Sequence, residues 1–163
     1  MNLEVGTVFR WDNFPLHRFS GERKARWFIC LGFSGIFAQV AIVYLSTTTT
    51  QLQHFGTSGT RRNHSHFIFK TNQPPIFEED CAIDFDERPY PVSEAKIKSC
   101  RNDIIIKGQL NEDTMRMIYK QFLRSRSLSV VELNDIHDSD NKVGILGLKK
   151  TKTYKEIKGL ALH

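Results

Sequence analysis

Cysteine is scarce in this 163-residue chain: Cys30, Cys81 and Cys100 are an odd three, and no two of them stand at a metal-ligand spacing. A disulfide scaffold is therefore not expected, and Cys30, set inside an apolar run, reads as a small buried hydrophobe suited to a reducing compartment. The P-loop, GxSxG, HExxH and CxxC patterns are all missing. Their absence removes the usual supports for nucleotide hydrolysis, serine hydrolase chemistry and zinc chemistry, and no cofactor or metal is expected. The first 26 residues are rich in charge and no small-residue cleavage site follows the first apolar run, so no secretory signal is expected either. With 40% hydrophobic and 25% charged residues, the composition argues against wholesale disorder and against a polytopic membrane protein. The length suits one domain, with room for an appendage.

Charge is present but unevenly placed. Residues 1 to 77 hold 8 Lys or Arg against 3 acids, whereas residues 78 to 163 hold 15 of each. The net charge of +5 thus comes from the N-terminal half. Because that charge interleaves with aromatic residues, RNA or DNA is a better expected partner than a membrane surface, the bland alternative being a solvated basic face.

One stretch organises the chain, the nineteen-residue apolar run Trp27 to Leu45, entered through Arg23, Lys24 and Arg26 and left through Ser46 and four threonines. As one helix it is long enough to cross a bilayer. Gly32, Ser34, Gly35 and Gln39 interrupt it, however, and its β-branched and aromatic content favours two strands. Around it, Val5 to Trp11 reads as a short strand and residues 13 to 24 as a long loop. That loop mixes Phe14 and Phe19 with His17, Arg18, Arg23 and Lys24, suited either to holding RNA or to capping an open barrel end. A second polar loop carries Arg61 and Arg62 at its far end. His64 and His66, two apart with no cysteine or carboxylate beside them, are a weak metal signal.

HFIFK alternates as a half-buried strand, CAIDF is a strand within an acidic edge better read as solvated than as a metal site, and Asp103 to Lys107 is a strand closed by Gly108. The clearest helix is Glu112 to Ser125, with Asn111 as N-cap, Leu110 and Met115 as a staple, and Met115, Ile118, Tyr119, Phe122 and Leu123 on one apolar face. Beyond Ser127, Leu128 to Leu133 reads as a further strand and NDIHDSDN as a polar linker. A lysine-rich end follows, with 6 lysines and one acid from Lys142 on.

If the apolar run is a hairpin, its entrance and exit return to the same end of a sheet, and Arg26 then faces Ser46, Thr47 and Thr48. A guanidinium bridges two phosphoryl oxygens without losing its proton, and a threonine hydroxyl donates to a third. Such a pair can stabilise the transition state formed when a ribose 2′-hydroxyl attacks the adjacent phosphate.

Several motifs, in this order, resemble the PemK/MazF family of toxin endoribonucleases. VGTVFRWDNFP is similar to the family's opening strand, KARWFICLG to its second strand with a leading arginine, IFAQVAIVYLST to its third, and GQLNEDTMRMIYKQFLRS to its closing strand and helix. The resemblance covers about residues 4 to 126. It implies a mainly β, α+β fold, an SH3-like small barrel over residues 1–127; residues 128–163, a basic C-terminal extension, lie outside what the resemblance covers. It carries the catalytic arginine onto Arg26 and the catalytic threonine onto Thr47, or Ser46 if the strand slips by one. Arg18, Arg23, Lys24, Arg61 and Arg62 are the expected RNA-holding cations, with His17 beside them and a candidate general base by its chemistry. The implied activity is metal-independent cleavage of single-stranded RNA to a 2′,3′-cyclic phosphate and a 5′-hydroxyl. The implied setting is a cytoplasmic homodimer restrained by an antitoxin. The alternatives are a non-catalytic binding module on the same barrel and a single-span membrane protein through residues 27–45.

Overall fold

The computed structural model describes residues 2–15, 23–34, 42–71 and 75–151. The apolar run folds as two strands, β2 (Arg26–Phe33) and β3 (Ile42–Thr49), paired antiparallel with Phe28 opposite Thr47 and Cys30 opposite Leu45. Residues 35 to 41 between them lie outside the described part. Among the described residues no helix is long and apolar enough to cross a membrane, and the described parts of 27–45 are strands, not the one helix that the single-span reading requires.

The remaining strands are β1 (Thr7–Trp11), β4 (His66–Phe69), β5 (Cys81–Asp84), β6 (Tyr90–Ser93) and β7 (Ile104–Gln109). They form one antiparallel sheet in the order β4-β5-β3-β2-β1-β7, with β6 pairing a second stretch of β3. Three α-helices complete the described fold: α1 (Glu94–Ser99), α2 (Glu112–Ser125) and α3 (Val130–Lys142). The class is α+β, mainly antiparallel sheet.

The hairpin reads as a continuous apolar run because it is buried on both faces, a pattern common for strands at the centre of a covered sheet. Phe28 and Cys30 of β2 and Val43 and Leu45 of β3 join Phe9, Trp11, Phe14 and Tyr90 in one cluster. Ile29, Leu31 and Tyr44, pointing the other way, join Ile118, Tyr119 and Phe122 of α2 and Leu133 and Ile136 of α3 in a second. Burying side chains on alternate faces follows from the period of two along a strand.

Two expectations fail after α2, which itself starts at its expected cap, where the Asn111 side chain accepts from the Thr114 amide at 2.8 Å. Leu128 to Leu133 is not a strand and residues 134–141 are not a linker: both lie in or at the start of α3. Ser129 and Glu132 form a reciprocal capping box there, with Ser129 Oγ accepting from the Glu132 amide at 3.2 Å and Glu132 Oε2 accepting from the Ser129 amide at 2.8 Å. That cap, together with burial of Leu133 and Ile136, outweighs the strand preference of Val130 and Val131. Gly108 likewise does not close β7 but sits within it, opposite Val8.

Helix α3 packs directly on β2 at Gly32. A Cβ there would lie 3.0 Å from Ser139 Cβ and 3.1 Å from Ile136 Cα, so the glycine permits the close approach. Ser139 Oγ accepts from the Phe33 amide at 2.9 Å, and Tyr44 Oη donates to Asp135 at 2.8 Å. Residues on both sides of position 127 share one apolar cluster, to which Leu128, Ile145 and Leu148 also belong.

Candidate functional site

The register of the hairpin brings its two ends together. Phe28 faces Thr47, so Arg26, two residues nearer the start of β2, lies at the level of the Thr47–Thr49 end of β3. On its other side Arg26 is opposite Trp11 of β1. A cleft of about 440 Å³ opens at this end of the sheet. Arg26, Lys24 and Trp27 line it from β2 and the segment before, Thr48, Thr49 and Thr50 from the end of β3, and Phe77, Glu78 and Glu79 from the acidic segment.

The expected catalytic residues separate here. Arg26 is half-buried on the cleft wall with Thr48 and Thr49. Thr47 is half-buried next to them, its hydroxyl directed to the Thr48 carbonyl at 3.4 Å, and is not part of the wall. Ser46, opposite Ile29, is 3% exposed and also off the wall. The run of four threonines was the sequence signal for the hydroxyl edge, but only the pairing of β3 with both β2 and β5 sets which of them reach the cleft.

Of the expected RNA-holding cations, Lys24 is exposed at the cleft and Arg23 exposed just before it. Arg62 is exposed on the loop before β4. Arg61 is committed within the protein, bridging Asp84 and Glu87 at 3.2 Å each. His17 and Arg18 lie outside the described residues.

The cleft is mixed in charge. Lys107 Nζ holds Glu78 at 2.6 Å and lies 5.1 Å over the Trp27 ring, and this ion pair keeps the Glu78 carboxyl below its ordinary range. Phe77 packs on Trp27 from within, their ring centroids 5.7 Å apart. Cys81 borders the same space, but burial pushes its thiol up to about 11, so it is protonated at neutral pH and unsuited to act as a nucleophile.

The acidic segment reads in the sequence as a solvated edge, whereas Asp84 within it is 3% exposed. Its carboxylate accepts from His64 Nδ1 at 2.8 Å, from Arg61 at 3.2 Å and from the Asp86 amide at 3.0 Å. His64, Asp84 and Asp86 are near enough to share a cation, but Arg61 already supplies positive charge to Asp84. His64 and His66 do not act as a pair: His66 Nδ1 contacts the His64 carbonyl at 3.0 Å and its ring stacks on Phe55.

No known family model matches the chain, and no curated protein matches it.

Proposed function

We propose that this chain is a metal-independent endoribonuclease of the PemK/MazF kind, a toxin that cleaves single-stranded RNA through attack of a ribose 2′-hydroxyl on the adjacent phosphate. The observation that carries the reading is the meeting of Arg26 with the threonine hydroxyls of β3 at one open cleft. The motif resemblance across residues 4 to 126 supports it, as does the mainly antiparallel sheet followed by α2. On this reading the barrel is of the SH3-like type, the working form is a homodimer, and an acidic segment of an antitoxin blocks the cleft.

The roles follow from the donors. Arg26 offers two N–H groups to the phosphoryl oxygens and keeps its charge as the phosphorane forms. Thr49, level with Arg26 in the hairpin register, donates to the remaining oxygen, with Thr47 two residues away on the same face of β3. Lys24 and Arg23 hold the flanking phosphates. Trp27 lines the cleft beside that site, its ring held by Phe77 and Lys107.

Arg26→Ala tests the proposal on purified full-length protein with a single-stranded RNA. The variant is expected to cleave about 100- to 1000-fold more slowly than the parent, the typical cost of removing one such donor. Equal cleavage by both, or by neither, sinks it. Glu78 and Glu79 at the cleft favour a second reading, a binding module without chemistry, because their charge opposes a polyanion. Salt-dependent RNA binding by the parent with no cleavage selects that one.

A further inference from the structure

The Asp84–His64 pair belongs to neither wall of the cleft, yet it is built like a proton-transfer site. A carboxylate accepts, so when the imidazole is neutral the 2.8 Å contact with Asp84 is made through the proton on Nδ1 of His64. Nε2 is left with its lone pair. No hydrogen bond among the described residues takes that nitrogen, and the His64 side chain is 38% exposed. Asp84, by contrast, is buried and fixed from three directions, so the ring it orients has little freedom.

The sheet sets this pair beside the threonine edge. Strand β5 lies next to β3 with Thr48 opposite Ile83 and Thr49 opposite Ala82. One further step along that register puts Thr47 beside Asp84, and paired residues carry their side chains on the same face. On the other flank of β3, Thr47 faces Phe28, two residues from Arg26. Arg26, Thr47 and Asp84 thus stand on three adjacent strands, each about 4.8 Å from the next, and His64, on the loop before β4, reaches Asp84 from outside the sheet.

We propose that His64 is the catalytic base of this site and Asp84 its positioning residue. The proposal rests on the ribonuclease reading. In the step, His64 Nε2 takes the proton of the ribose 2′-hydroxyl, and the freed electron pair of that oxygen forms a bond to phosphorus. The bond from phosphorus to the 5′-oxygen breaks, the 5′-oxygen leaves with its electron pair and takes a proton from water, and the hydroxide so formed recovers the proton from the imidazolium. The products are a 2′,3′-cyclic phosphate and a 5′-hydroxyl. The charged groups around the ring are Arg61 from the loop, which opposes the imidazolium and is itself paired with Glu87, and Asp84 and Asp86 from the β5 side, which favour it. His66 of β4 lies next to the His64 backbone.

The test uses the full-length protein, a single-stranded RNA oligonucleotide, and the same oligonucleotide with 2′-deoxyribose as an uncleavable binding probe. His64→Asn keeps an N–H donor for Asp84 and has nothing in place of Nε2. It is expected to lower kcat about 100- to 10,000-fold, to remove the acid limb of the pH–rate profile, to bind the deoxy probe as the parent does, and to regain activity with added imidazole. A His64→Asn protein that cleaves at the parent's rate with the parent's pH profile, while Arg26→Ala does not cleave, overturns the role of His64 and leaves the ribonuclease reading standing. A parent that does not cleave removes both. Loss that imidazole does not restore, accompanied by a lower melting temperature, assigns His64 to structure alone and overturns the proposal. Cleavage that a chelator abolishes and a divalent cation restores makes the cluster a metal site, and overturns it as well.

Discussion

Asp140 is a carboxylate buried away from water. It is 0% exposed, and neither carboxyl oxygen has a hydrogen-bond partner among the described residues. Burial pushes its carboxyl up to about 7, with Arg116 opposing part of the rise. An acid whose folded pKa is raised keeps its proton on folding while the unfolded chain has lost it. Its contribution is therefore most favourable below about pH 4, declines as pH rises through about 7, and is level beyond that. Comparing Asp140→Asn with the parent isolates the group. The variant is expected to gain about 2 to 4 kcal/mol on the parent between pH 4.5 and pH 8, read from urea unfolding at each pH. A gap between the two proteins that does not change with pH would show that Asp140 ionises freely in the fold. The same scale separates the arginines: nothing in the sequence distinguished Arg61, tied to Asp84 and Glu87, from Arg62 beside it, because the carboxylates it meets lie over twenty residues away.

Among the elements, α3 shows how a strong local signal is lost under a misleading one. Val130 and Val131 suggested a strand, while S-x-x-E at Ser129 to Glu132, the signature of a helix start, stood in the same six residues. The structure decides for the cap because Leu133 and Ile136 then fall on the buried face. Ser129→Ala removes the acceptor for the Glu132 amide and is expected to cost about 1 kcal/mol. Val131→Ala, at a side of α3 that is 69% exposed, is the matched control and is expected to change stability by less than about 0.5 kcal/mol. Equal shifts in denaturation midpoint for the two would mean that the box does not hold the helix start. By comparison α2 was legible almost to the residue, since its cap, first-turn acids and apolar face agree with one another.

For the whole molecule the question is where the folding unit ends. Leu128, Leu133, Ile136, Ile145 and Leu148 share the cluster of β1, β2 and α2, and the Ser139 and Asp135 contacts fasten α3 to β2 and β3. Arg116 of α2 further reaches the Leu146 carbonyl, and Tyr119 Oη donates to the Lys149 carbonyl at 2.7 Å. A chain ending at residue 127 would lose five core side chains at once, each worth about 1.5 to 3 kcal/mol when buried. That loss is comparable to the whole stability of a domain. Residues 1–127 alone are expected to show no cooperative thermal transition, whereas the full chain shows one. A sharp transition in the shorter piece would make the C-terminal part an appendage after all.

What the sequence by itself determined is local: the two-strand character of Trp27 to Leu45, the cap and face of α2, and the presence of an arginine and a hydroxyl cluster at the ends of one hairpin. Each depends on residues within about a dozen positions, where period, turn chemistry and caps act. The tertiary structure decided which threonines line the cleft, that Arg61 is tied internally, that Asp84 is buried against His64, and that α3 belongs to the core. Those depend on strand neighbours 20 to 100 residues apart, brought together by burying both faces of the same hairpin, and no local pattern encodes that pairing.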